Sequence, residues 1–119
     1  MRILILEDDP LRVNKFKTGL MDHDVVFTDN TKICIEYLKS EKWDLLCLDH
    51  DLGGQQMVKS GENTGYEVAL FLEEFPEYRP NTIYIHSLNG VGANNMLQAL
   101  KLPKHNHIPF LWESLNKKT

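Results

Sequence analysis

Four short runs of strand-forming residues, Ile3 to Leu6, Val25 to Phe27, Leu45 to Leu48 and Thr82 to Ile85, punctuate the chain. The first is aliphatic at every position, with no alternation of dry and wet side chains, which is the pattern of a strand covered on both faces. Between the runs, apolar residues recur at helical spacing. Asp9 before Pro10 reads as an N-cap with proline in the first turn, and Leu11, Val13, Phe16 and Leu20 supply the apolar stripe of a helix ending near Met21. Asp29, Asn30 and Thr31 form a capping cluster ahead of Ile33, Cys34, Tyr37 and Leu38. Thr64 and Glu67 make a capping-box pattern before Val68, Phe71, Leu72 and Phe75, and Pro76 closes that helix. Gly90 and Gly92 introduce a last clear helix carrying Met96, Leu97 and Leu100. Beyond Pro103, "IPFLWESL" predicts an edge strand followed by a helical turn, since Pro109 is incompatible with a central strand.

Strands alternating with amphipathic helices imply right-handed βαβ units. The predicted fold is therefore α/β: a doubly wound, mainly parallel sheet of four to five strands with helices on both faces. In such sheets the ligand crevice lies at the carboxyl ends of the strands. Three of those ends carry chemistry: Glu7 and Asp8, then Asp49, His50 and Asp51, then His86 to Asn89. A polar stretch from Gly53 to Asn63 follows the second of them.

Size and charge narrow the picture. A chain of 119 residues, 42% apolar, is expected to form one domain over residues 1–119. The net charge of −4 argues against unaided, tight attraction to a nucleic-acid backbone, although a small phosphate ligand is compatible with it. No stretch approaches the roughly 20 apolar residues of a membrane span, and "MRILILEDDP" runs into acid too early for a secretion signal. The expected location is the cytoplasm, with Cys34 and Cys47 as inert reduced thiols inside a helix and a buried strand.

Carboxylates gathered at one sheet edge repel one another unless a cation offsets them, and hard oxygen ligands suit Mg²⁺ or Mn²⁺. Glu7, Asp8 and Asp49 are the expected ligands, with Asp51 adding its carboxylate or its backbone carbonyl; Asp9 is assigned to the helix cap. An ion held this way leaves positions for water and a phosphate oxygen. Ser87, Asn89 and the backbone amides of Gly90 to Gly92 are the candidate phosphate contacts. His50 and His86 are candidate proton carriers, against which stands the alternation of strand side chains: His50 should point away from Asp49, and His86 away from Ser87. His23, His105 and His107 fall in surface or loop positions, and Trp43 and Trp112 are expected at the core edge.

"ILILEDDP" resembles the opening of response-regulator receiver domains. That resemblance implies Glu7 and Asp8 as a Mg²⁺-holding acidic pair, Asp49 as phosphoacceptor, Asp51 as carbonyl donor to the metal and Ser87 as the hydroxyl after the fourth strand. Three features depart from it. No lysine can be carried over to the end of a fifth strand, since Lys101 and Lys104 precede the only plausible one; the loop after Asp49 carries the extra segment "GGQQMVKSGEN"; and histidine stands at positions 50 and 86. The combination of Leu48-Asp49-His50-Asp51-Leu52, Ile85-His86-Ser87-Leu88-Asn89 and Val91-Gly92-Ala93 with Asn95-Met96 is more similar to the cyclic-phosphate-processing receiver-like family, inferred to act on 2′,3′-cyclic phosphate ends in RNA repair.

This likeness implies metal-dependent hydrolysis of a cyclic phosphate, on an RNA end or a cyclic nucleotide. Asp49 would serve as nucleophile or metal ligand, and His50 or His86 would protonate the departing hydroxyl. Two alternatives remain open: a stand-alone receiver phosphorylated on Asp49, and a non-catalytic module that binds or sequesters a nucleotide. The implied partner is a cyclic-phosphate nucleotide or RNA end, with no membrane, and the sequence names no protein partner.

Overall fold

The computed structural model describes residues 1–52 and 57–116, with only the backbone described at residue 116. Gly53 to Gln56, part of the extra loop segment, lie outside the described residues. Four strands form one parallel sheet: β1 (Arg2–Leu6), β2 (Asp24–Thr28), β3 (Leu45–Leu48) and β4 (Thr82–Ile85), in the order β2-β1-β3-β4. Helices α1 (Pro10–Gly19), α2 (Thr31–Ser40), α3 (Gly65–Glu74), α4 (Gly90–Leu100) and α5 (Leu111–Asn116) complete a doubly wound α/β fold of the flavodoxin type.

Alternation along the strands sorts the core into two layers. Leu4, Leu6, Leu46, Leu48, Ile83 and Ile85 face α2, α3 and α4, where they meet Cys34, Leu38, Val68, Leu72, Met96 and Leu100. Ile3, Ile5, Leu45 and Cys47 face the other way, toward Phe16 of α1, Leu20 at its C-cap, and Leu111 and Trp112 of α5. Continuous apolar runs are thus explained by burial on both faces. Both cysteines are buried free thiols whose pKa burial pushes up to about 12, so they stay protonated and unreactive.

Local signals decide the helix starts. Asp9 caps α1 by accepting from the Leu11 amide at 2.9 Å, and Asn30 caps α2 through the Ile33 amide at 3.0 Å. The capping box predicted at Thr64 and Glu67 does not form. The Thr64 hydroxyl closes its own turn onto the Gly61 carbonyl, while the Glu67 carboxylate crosses to Thr31 and Lys32 of α2. A competing local turn takes Thr64, and tertiary partners together with the Asn63 amide take Glu67. The predicted fifth strand shrinks to one parallel bridge, Ile85 with His107, and the helical turn expected after it is the helix Leu111–Asn116. No helix among the described residues is long and apolar enough to cross a membrane.

Candidate active site

Strand register builds the site. Leu6 pairs with Leu48 and Leu48 with Ile85, so Glu7, Asp49 and His86 stand side by side one residue beyond the last paired positions. The ladder continues through them, with the Asp49 amide donating to Leu6 O (3.1 Å) and the His86 amide to Leu48 O (3.0 Å). Since all three continue the face that packs on α1 and α5, their side chains converge. One ligand atom from each lies within 4.8 Å of the others, and all three residues are buried.

The charges in this cluster are unevenly satisfied. Glu7 Oε2 accepts from the amides of Asp8 (2.9 Å) and Asp9 (3.0 Å) and from Arg12 Nη2 (3.1 Å), and Oε1 accepts from His86 Nε2 (3.0 Å). Burial alone would raise the Glu7 pKa, but these donors outweigh it and hold the carboxyl below its usual range, so it is ionised. His86 is held below its ordinary pKa by burial, against the pull of Glu7; it is therefore a neutral imidazole that donates its Nε2 proton to Glu7 and turns Nδ1 inward. Its ring packs edge-on against Phe16 (5.1 Å between centroids) and Trp112 (6.0 Å). Asp49 is different: one oxygen accepts from the His50 amide at 2.8 Å, whereas Oδ2 is buried with no hydrogen-bond partner. Burial first, and the Glu7 charge second, push its pKa up to about 7.

Arg12 was not singled out by the sequence reading. Its Nη2 lies 3.1 Å from Glu7 Oε2, 3.6 Å from Asp49 Oδ2 and 4.0 Å from Asp8 Oδ1. A helical side chain leans back over the turn before it, so an arginine in the first turn of α1 leans over the strand ends. An arginine so soon after an acidic run at a strand end was the available signal. Of the four expected ligands, the structure brings Glu7 and Asp49 together with Asp8 at the rim, and adds His86.

The side chains of His50 and Asp51, expected at the carboxylate centre, meet each other instead. His50 continues the opposite strand face, and its ring is fully buried against α4. Its Nδ1 meets Asp51 Oδ1 at 2.7 Å and its Nε2 meets Ser60 Oγ at 2.8 Å, with Asn95 donating to that hydroxyl in turn. Asp51 also accepts from Asn89 Nδ2 (3.1 Å) and the Met57 amide (2.6 Å); despite partial burial, the bonds from His50, Asn89 and Met57 keep its pKa low. Two glycines permit this packing. A Cβ on Gly92 would sit 2.4 Å from His50 Cγ, and one on Gly65 would sit 1.8 Å from the Asp49 carbonyl oxygen.

The expected phosphate cradle is likewise engaged internally. Asn89 caps α4 through the Gly92 amide (3.0 Å), and the Ser87 hydroxyl oxygen accepts from the Asn89 amide (3.0 Å). Gly90 alone of the four is exposed, at the first turn of α4. His107, assigned to a loop, packs where a fifth strand would begin and binds the Ser87 carbonyl at 2.8 Å.

A parallel sheet in the order β2-β1-β3-β4, with acids at the ends of β1 and β3, defines the receiver class of α/β domains. Within it, residues 2–102 match the family described as the cyclic-phosphate processing Receiver domain, and the chain belongs to that family. No curated protein matches the sequence.

The donor set fits a divalent ion. Two buried carboxylates and an imidazole converge, and the Asp49 oxygen without a hydrogen-bond partner is aimed into the cluster. All-oxygen coordination by Glu7, Asp8 and Asp49 suits Mg²⁺; recruiting His86 nitrogen favours Mn²⁺.

Proposed function

We propose that this chain is a metal-dependent phosphoesterase that opens a cyclic phosphate, carried by a nucleotide or an RNA end. The supporting observation is the convergence of Glu7, Asp49 and His86, in which one buried Asp49 oxygen has no hydrogen-bond partner. Mg²⁺ or Mn²⁺ held there would neutralise the carboxylates and act as a Lewis acid toward phosphate and water. In the overall reaction water adds to phosphorus, one of the two ring P–O bonds breaks, and the freed oxygen takes a proton, leaving a phosphomonoester.

Glu7 and Asp49 are the ligands at the centre and Asp8 the ligand at its rim. His86 holds Glu7 in place and is the histidine positioned to move a proton, since the His50 ring is locked on the other face between Asp51 and Ser60. A groove of about 580 Å³, lined by Glu7, Asp8, Val13, Phe27 and Ile33, leads away from the carboxylates. That volume suits a nucleoside better than a bare phosphodonor.

The test is a panel of cyclic mononucleotides, cyclic oligonucleotides and RNA with a terminal cyclic phosphate, assayed with Mg²⁺, Mn²⁺ or chelator. Turnover that chelator abolishes, and that Asp49→Asn lowers by about 10²-fold or more, is expected. Tight binding without product would instead make the chain a sequestering module. The position of Asp49 at the carboxyl end of β3, with one oxygen lacking a hydrogen-bond partner, favours one second reading, a receiver phosphorylated on Asp49; a mass gain with a small phosphodonor and Mg²⁺, absent in Asp49→Asn, would support it.

A further inference from the structure

We propose that Arg12, seated on Trp112, is the cationic phosphate-binding residue of this site and its resident counter-ion, which yields the carboxylates to the metal and turns to the phosphate. The inference rests on the phosphate chemistry proposed above.

A phosphoryl group placed beside three carboxylates needs positive charge beyond one metal ion. Among the described residues, the lysine that receivers carry after a fifth strand has no counterpart. Lys101 is the left-handed cap of α4 (φ 56°), Lys104 lies in a 3₁₀ turn, and His107 occupies the single bridge beside β4. Arg12 supplies the charge from the other side of the site, on α1.

Its seating is that of a group able to change partners. A structural arginine grips one carboxylate with two parallel N–H bonds. Here Nη2 serves Glu7 at 3.1 Å while lying 3.6 Å from Asp49 and 4.0 Å from Asp8, and the buried Nε, 3.7 Å from Asp9 Oδ2, makes no hydrogen bond. The guanidinium carbon stands 5.2 Å over the Trp112 ring. That ring is buried and braced edge-on by Phe16 (6.1 Å) and His86 (6.0 Å). A cation resting on an aromatic face keeps its in-plane donors available, so the indole fixes where the charge sits without fixing what it binds. Trp112 is thereby a positioning residue.

Because metal and arginine compete for Glu7 and Asp49 oxygens, removing the arginine moves two affinities in opposite directions, which a merely structural role would not do. The experiment is calorimetric titration of the full chain with Mn²⁺ alone, then with inorganic phosphate at saturating Mn²⁺, for wild type, Arg12→Met and Arg12→Lys. Arg12→Met should bind Mn²⁺ about tenfold tighter and phosphate at least about tenfold more weakly, with Arg12→Lys restoring part of the phosphate affinity. Unchanged or weaker Mn²⁺ binding by folded Arg12→Met, or unchanged phosphate binding, overturns the proposal. Absence of Mn²⁺ binding in every variant would overturn the phosphoesterase reading as well, whereas normal binding with no turnover would leave only that reading in question.

A second measurement leaves Arg12 intact. Trp43→Phe makes Trp112 the sole tryptophan of the chain, and Mg²⁺ should then change its emission as the guanidinium shifts. A silent Trp112 at Mg²⁺ saturation counts against the proposal even where Arg12→Met fails to fold.

Discussion

The two faces of the sheet end in opposite states. On the α1 and α5 side, Glu7, Asp49, His86 and Arg12 leave the Asp49 Oδ2, His86 Nδ1 and Arg12 Nε atoms buried without hydrogen-bond partners. On the α4 side, His50, Asp51, Ser60 and Asn89 form a network in which each side chain has a close polar partner. The two lie one residue apart in sequence, at Asp49 and His50. A satisfied polar network rigidifies; unsatisfied buried groups raise the energy of the empty site and recover it when a ligand binds. The histidine that looks more catalytic in the sequence, flanked by two aspartates, is thus the one that reads as structural.

The sharpest way to break this contrast is to remove one group from each side. Asp49→Asn and His86→Ala should lower turnover by about 10²-fold or more while the fold persists. His50→Ala should do the reverse, costing about 2–4 kcal/mol of stability in denaturant melts with turnover per folded molecule within about tenfold of wild type. A His50→Ala protein that folds normally and is as inactive as His86→Ala would erase the distinction.

Stability against pH offers a test of the unpaired side without substrate. With a folded pKa of about 7 against an ordinary 3.8, Asp49 binds its proton more tightly in the native state. Its contribution to stability therefore declines as pH rises from about 4 to about 7, and the cost is complete above that window. Glu7 and His86, both lowered, slope the other way, losing stability as pH falls. The difference between Asp49→Asn and metal-free wild type isolates the Asp49 part, and the variant should be the more stable by on the order of 4 kcal/mol near pH 8, with no advantage near pH 4. Saturating metal should cancel the advantage. Below about pH 7, metal affinity itself should fall about tenfold per pH unit, since the Asp49 proton must leave first.

The smallest expected effect concerns packing. Gly92→Ala places a methyl against the His50 ring and should cost about 1–3 kcal/mol, whereas in the His50→Ala background the same change should cost well under half as much. Additive losses would mean that the clash is relieved elsewhere.

Much of this was legible in the residues. The four strand runs, the Asp9 and Asn30 caps and the acids at two strand ends follow from local rules of periodicity and capping. Alternation even carried the split between Asp49 and His50, because a period of two leaves neighbours no choice of face. The fate of "IPFLWESL" was legible only in its helical turn, since Pro109 merely excludes a central strand and does not say that the strand reduces to one bridge or that the helix will cover Phe16. Thr64 and Glu67 matched a local motif, yet Thr64 turned to Gly61 and Glu67 to Thr31 and Lys32.

Order along the chain by itself determined a parallel α/β sheet with carboxylates at its carboxyl edge, because periodicity and strand ends are properties of short windows. Which acids meet was a matter of register between strands, where one residue of slip would exchange Asp49 for His50. Arg12 entering the acidic centre, Trp112 beneath it, and His50 sealed under Gly92 were decided only by the packing of α1, α5 and α4, through contacts between residues up to about a hundred positions apart. Such contacts depend on shape and distance in three dimensions, and no local pattern encodes them.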